Sequence, residues 1–182
     1  MRIGLSQNIL YQNGRIHDAI DHGWYKMLVN HTLFFLPNTI NQNFDVIADS
    51  IDSFILTGGE TTIVREQAEI ALLNKMLERN KPVVGISQGA LFIAERLGST
   101  IQVIPNHNKV EHYIMYHGEA IKVNSNHETG ITKLHPGGEI LCLADTGEIE
   151  AFVDKNRAGI MWNPEKMKKP WIPPEIAYIL RI

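Results

Sequence analysis

The stretch from Pro82 to Leu97 constrains the fold more than any other part of the chain. Pro82-Val-Val-Gly-Ile86 is short, apolar and β-branched, with a proline at its start, and reads as a buried strand. Gly89 to Leu97 reads as a helix with Leu91, Ile93, Ala94 and Leu97 on its inner side. Between them, Gly85-Ile-Ser87-Gln-Gly89 has the pattern G-x-S-x-G. A chain that turns sharply from strand to helix needs small residues flanking the apex, because side chains there would clash. The apex residue, Ser87, is forced outward, and its Oγ lies near backbone N–H groups that can stabilise negative charge. A tight turn with a serine N-cap would use the same residues without chemistry, so the surrounding sequence has to decide between the two.

Upstream, strands and helices alternate. Arg2 to Ser6, Leu33 to Leu36 and Ser53 to Thr57 read as strands, and Arg65 to Arg79 as a helix with Leu72, Leu73, Met76 and Leu77 on one face. Ile16, Ala19, Ile20, Trp24, Met27 and Leu28 recur at helical spacing and predict a helix over Ile16 to Asn30, after a polar segment that ends in the turn signal Asn13-Gly14. Phe44, Val46 and Ile47 suggest a short helical or irregular segment. The alternation predicts an α/β fold with a central, mostly parallel sheet and flanking helices. Ligands bind such sheets at the carboxyl ends of the strands, where Gly58-Gly59 and Ser87 both fall. Downstream, short strands (Ile101 to Val103, Val110 to Met115, Ala120 to Val123, Glu139 to Leu143, Ile149 to Val153, Gly159 to Met161) are joined by turns and read as antiparallel additions to the same sheet. Glu175 to Leu180 predicts a terminal helix. One domain over residues 1–182 is expected.

Composition narrows the partners. A 44% hydrophobic content with 20% charged residues is that of a soluble globular protein, and a formal charge of −3 gives no reason to expect nucleic acid or an anionic membrane. Lys166, Lys168 and Lys169, the densest basic run, read as solvated surface. No apolar run is long enough to span a membrane, and the N-terminus lacks a signal core, so a cytoplasmic protein is expected. The single cysteine, Cys142, sits in a strand-like run and reads as core. Asn106-His107 and Glu111-His112 lie close together, but their spacing matches no ligand pattern and no cysteine joins them. Neither metal nor other cofactor is expected.

Three separated pieces, Ile55-Leu-Thr-Gly58-Gly59, Gly85-Ile-Ser87-Gln-Gly89 and Gly159-Ile-Met-Trp-Asn163-Pro-Glu165-Lys166, fall in the order and spacing of class I glutamine amidotransferases. The chain resembles the γ-glutamyl hydrolase branch of that family over nearly its whole length. Arg65-Glu66 with Glu69, Val123-Asn-Ser125-Asn-His127 and Ile149-Glu-Ala151 support the match. Its short length and Asp18, Asp21, Trp24 and Leu28 are similar to a compact subgroup encoded with surface-polysaccharide genes, one member type of which hydrolyses a γ-glutamyl-CDP-amidate. The resemblance implies a flavodoxin-like fold and a small γ-glutamyl or glutamine-like ligand, and leaves the oligomeric state open. It also implies a Cys–His–Glu triad on the elbow. Gly59 and Gln88 hold the oxyanion-donor positions and Glu165 that of the orienting acid. Gly58, Asn124, Ser125 and His127 fall where the substrate is bound.

The sequence departs from that pattern where the chemistry is done. Ser87 stands at the Cys position, Asn163 at the His position, and Gln88 where arginine is usual. A serine hydroxyl needs a base before it can attack, and an amide does not titrate usefully, so Asn163 cannot accept and return a proton. Both replacements are near-isosteric; they suit an engineered substrate trap as well as a drifted pseudoenzyme, while Gln88 and Glu128 favour natural divergence. Three readings follow: a γ-glutamyl amide hydrolase with altered catalytic positions, a catalytically silent binding protein, or a serine hydrolase drawing its base and acid from residues such as His127 and Glu111. Arg65, Glu66 and Glu69 suggest a helix-surface network, Trp24 and Trp171 packing, and Trp162 a pocket wall.

Overall fold

The computed structural model describes residues 1–105 and 107–182. In chain order the elements are β1 (Arg2–Ser6), β2 (Asn8–Gln12), β3 (Arg15–Ala19), α1 (Gly23–Met27), β4 (Thr32–Leu36), α2 (Phe44–Ser50), β5 (Ser53–Leu56), α3 (Ile63–Glu78), β6 (Val83–Ile86), α4 (Gln88–Arg96) and β7 (Thr100–Val103). They continue with β8 (Asn108–Tyr116), β9 (Glu119–Asn126), β10 (Thr129–Lys133), β11 (Glu139–Ala144), β12 (Ile149–Asp154), β13 (Arg157–Ile160), a single 3₁₀ turn over Pro164–Lys166, and α5 (Pro174–Leu180).

One large sheet organises the molecule, in the order β4-β1-β5-β6-β13-β12-β11-β8-β9, with β10 and β7 attached at β12. The five strands from β4 to β13 are parallel, and the later ones pair antiparallel. Period-two alternation splits the central strands between two core layers. Phe54, Leu56, Val83 and Phe152 pack under α2, α3 and α4. Ile55, Val84, Ile86 and Ala151 face the opposite layer, with Trp24, Ile176 and Leu180. Strands buried on both faces read as continuous apolar runs, which is why β5 and β6 are recognisable from sequence. Cys142 is buried there, and burial pushes its thiol pKa up to about 12. Among the described residues no helix is long and apolar enough to cross a membrane.

The segment Gln7 to Asn30 departs from expectation. Asn13 and Gly14, both with positive φ (52° and 70°), make a two-residue hairpin loop that pairs Gln12 with Arg15, so β2 and β3 replace the first part of the expected helix. Asn-Gly is the preferred sequence for such a loop, because both positions need φ above zero. Ile16 is 64% exposed on the hairpin, and only Gly23–Met27, anchored by buried Trp24, is helical. Ile20, Trp24, Met27 and Leu28 of the apolar period still pack against the core, and only its start at Ile16 is turned to solvent. β10 is a strand that sequence patterning misses. Trp162, expected to wall a pocket, is fully buried: it stacks on Trp171 with ring centroids 5.4 Å apart and donates from Nε1 to the Trp171 carbonyl.

Candidate functional site

β5, β6 and β13 are neighbours and run parallel. Their carboxyl ends deliver Gly58-Gly59, Ser87 and, just beyond β13, Asn163 to the same edge of the sheet, so residues far apart in sequence converge.

Ser87 has φ 53° and ψ −111°, a conformation that costs about 1–3 kcal/mol in a non-glycine residue and persists only where its surroundings enforce it. Its N–H donates to the Ile160 carbonyl at 2.6 Å, tying the elbow to β13. The flanking glycines are required sterically. A Cβ on Gly85 would lie 2.2 Å from the Gly89 carbonyl oxygen, and one on Gly89 2.2 Å from the Leu56 carbonyl oxygen.

Gly58 lies beside both key side chains. A Cβ there would sit 2.7 Å from Asn163 Nδ2 and 3.2 Å from Ser87 Cβ, so both crowd one point. The Asn163 amide donates from Nδ2 to Glu165 Oε1 at 3.0 Å and accepts at Oδ1 from Asn126 Nδ2 at 3.3 Å. Asn124 fixes the Asn163 backbone: its Oδ1 accepts from the Asn163 N–H and its Nδ2 donates to the Asn163 carbonyl, both at 2.8 Å. Burial pushes the Glu165 carboxyl above the ordinary glutamate value, against the partial help of the Asn163 amide.

A cleft of about 470 Å³ opens at this edge, lined by Gly59, Glu60, Ser87, Gln88, Asn126, His127 and Lys166 among others. Among the described residues the backbone N–H groups of Gly59 and Gln88 donate no hydrogen bond, and both residues line the cleft. Gly59 holds φ +127° against Asn8 from the hairpin. Arg65, buried rather than on a helix surface, braces this loop. It donates to the Thr57 carbonyl at 2.6 Å, the Glu60 carbonyl at 3.2 Å and Asn8 Oδ1 at 2.5 Å, while Nε pairs with Glu69 Oε1 at 2.8 Å. Glu66 is the member of that group which stays half-buried, 3.7 Å from Arg96.

Other expected ligand contacts land differently. Ser125 is fully buried, with its hydroxyl bonded to the His107 carbonyl, so it stands behind the cleft wall. His127 borders the cleft, but its Nδ1 donates to the Thr129 carbonyl at 2.9 Å and its Nε2 faces Glu150 Oε1 at 3.7 Å, so neither nitrogen is turned to Ser87. Glu111, the acid expected for a serine hydrolase, is exposed and paired with Lys122 at 2.6 Å. Lys166, read from sequence as solvated surface, borders the cleft and adds a cation that sequence reasoning misses. His107 and His112, set aside on spacing, come together with Glu150; Asn106 lies outside the described residues.

A strained strand–helix elbow and a loop from the adjacent parallel strand, with Glu165 bonded behind Asn163, thus meet at one cleft. The chain belongs to the class I glutamine amidotransferase family, whose profile, "Glutamine amidotransferase class-I", matches residues 9–173. It is 32% identical to the γ-glutamyl-CDP-amidate hydrolase of Campylobacter jejuni, over 91% of this chain and 90% of that protein. It is 30% identical to one subunit of the glutamine-hydrolysing GMP synthase of Picrophilus torridus, over 71% of this chain and 74% of that protein. A glutamine amidotransferase from Thermotoga maritima shares the fold, with a TM-score of 0.71 at 14% identity over 90% of this chain and 76% of that one.

Proposed function

We propose that the cleft recognises a small γ-glutamyl amide, and that the protein keeps the binding and oxyanion parts of a γ-glutamyl hydrolase site without its proton-transfer group. The observation that carries this reading is the crowding of Ser87 Cβ and Asn163 Nδ2 around Gly58, with Glu165 bonded behind Asn163. In that order a nucleophile, a base and an orienting acid would form a relay, but here the middle position is an amide. Asn163 holds its place between Asn126 and Glu165, yet takes up no proton at any ordinary pH. Positioning and oxyanion stabilisation alone leave on the order of 10³-fold acceleration over water in triads stripped of their working members.

The charges around the cleft suit an amino-acid headgroup. Lys166 can meet an α-carboxylate, and Glu60 or Glu128 an α-ammonium. The name of the Campylobacter jejuni relative suggests γ-glutamyl amides carrying a nucleotide as the first to try. The single-domain, cytoplasmic reading and a role in surface-polysaccharide synthesis are part of the same proposal and rest on the sequence and its resemblance alone. Thermal unfolding in the presence of glutamine, simple γ-glutamyl amides and a γ-glutamyl nucleotide amidate tests recognition. The reading expects a concentration-dependent rise in Tm with at least one γ-glutamyl compound and none with the matching α-glutamyl isomer. Equal response to both isomers, or to neither, contradicts it.

A further inference from the structure

Behind the cleft wall lies a second cluster that the hydrolase chemistry does not use. His107 comes from the segment before β8, His112 from β8, His127 from the link between β9 and β10, and Glu150 from β12. Glu150 is fully buried, and His107 and His127 are nearly so. Among the described residues neither carboxylate oxygen of Glu150 has a hydrogen-bond partner, nor does Nε2 of His107, His112 or His127. An ionised carboxylate held in the interior without a donor is costly, and native proteins rarely leave one so.

Distances separate two explanations. His112 Nε2 lies 3.6 Å from Glu150 Oε2 and His127 Nε2 lies 3.7 Å from Glu150 Oε1. Both are too long for charge-assisted hydrogen bonds, which close to about 2.7–2.9 Å. The His112 distance is close to the spacing of roughly 3.3 Å between two ligands of one tetrahedral ion bound at about 2.0–2.1 Å. The ligand atoms of His107, His112 and Glu150 all fall within 4.8 Å of one another. The imidazoles are also oriented as ligands are. Nδ1 of His127 donates to the Thr129 carbonyl at 2.9 Å, and Nδ1 of His107 faces the Pro105 carbonyl at 3.4 Å. A carbonyl only accepts, so each contact puts the proton on Nδ1 and leaves the Nε2 lone pair aimed inward.

We propose that His107, His112 and Glu150 bind one divalent transition-metal ion, for which Zn²⁺ is the best match, with His127 facing the other oxygen of the Glu150 carboxylate. Two imidazoles and a carboxylate without thiolate suit zinc and disfavour the all-oxygen cations Mg²⁺ and Ca²⁺. Three protein ligands from the segment before β8, from β8 and from β12 would hold the ion, which would then tie β8 to β12 in the antiparallel half of the sheet. It also reaches the cleft, because Asn126, next to His127, holds the Asn163 amide. The site stands independently of what Ser87 does.

The test is metal content of tag-free protein refolded with Zn²⁺ and desalted. About one zinc per chain is expected, along with the intense visible d–d bands of four-coordinate Co²⁺ after cobalt reconstitution. Removal with a strong chelator should lower Tm, and Zn²⁺ but not Mg²⁺ should restore it. Glu150→Gln should lose at least about tenfold in zinc affinity, while His117→Gln, at an exposed histidine outside the cluster, leaves binding intact. The wild-type zinc and cobalt measurements need no variant to fold. Less than about a tenth of an equivalent of zinc with no cobalt bands would overturn the proposal.

Discussion

Asn163 Nδ2 donates to Glu165 Oε1 at 3.0 Å, while Glu165 Oε2 is buried with no partner among the described residues. The half-satisfied carboxyl binds its proton more tightly in the fold than in the unfolded chain, because burial raises its pKa. Stability from that proton is fully present below the unfolded value and is lost as pH rises through the folded one. Glu165→Gln removes the titration. The variant should melt above the wild type at pH 8, by about 2–4 °C for each kcal/mol relieved, and the gap should close toward pH 4. Melting curves across that range check it; a gap that widens toward acid would show that the carboxylate is stabilised by the fold.

Gly89 lies against the Leu56 backbone, with no room for a Cβ. The clash is with main chain, which cannot swing aside as a side chain can. Gly89→Ala should therefore destabilise by about 1–3 kcal/mol or more and distort the elbow. Denaturant unfolding measures the first effect. Gly98→Ala, where the space is open but φ is +90°, gives the cost of backbone conformation alone, which should be smaller.

Arg65 and Glu69 form a buried pair under the Gly58-Gly59 loop. Removing one partner leaves the other charge uncompensated, which costs about 3–5 kcal/mol. Glu69→Ala should show that loss in urea. Replacing both residues by apolar side chains should recover most of the stability, yet still weaken γ-glutamyl binding, because the Thr57 and Glu60 carbonyls lose their brace. Unchanged ligand affinity in a folded double variant would mean that the loop positions itself.

The parallel half of the fold is legible because β5 and β6 are short apolar runs bounded by turns and because Gly85 and Gly89 frame Ser87. The class of site follows from three short motifs in order. Three things are not legible, each for a physical reason. The Ile16 to Ile20 spacing fits a helix as well as a hairpin, and the Asn13-Gly14 loop decides it. Arg65 gives no sign that it points inward, since its partners, Asn8 and the Thr57 carbonyl, are set by tertiary approach. The His107–His112–Glu150 cluster joins strands distant in sequence, so no local ligand spacing announces it.

The central claim is that the site keeps its binding and oxyanion parts but lacks the thiol and the imidazole of the relay, and the double replacement Ser87→Cys with Asn163→His tests it most directly. A thiol at the elbow and an imidazole bonded to Glu165 would complete the relay that the present side chains interrupt. Glutamate release from γ-glutamyl amides should rise by at least about 10³-fold over the wild type, and each single replacement should recover little, because members of such a relay act as a unit. A folded double variant that binds γ-glutamyl compounds but releases no glutamate would contradict the account.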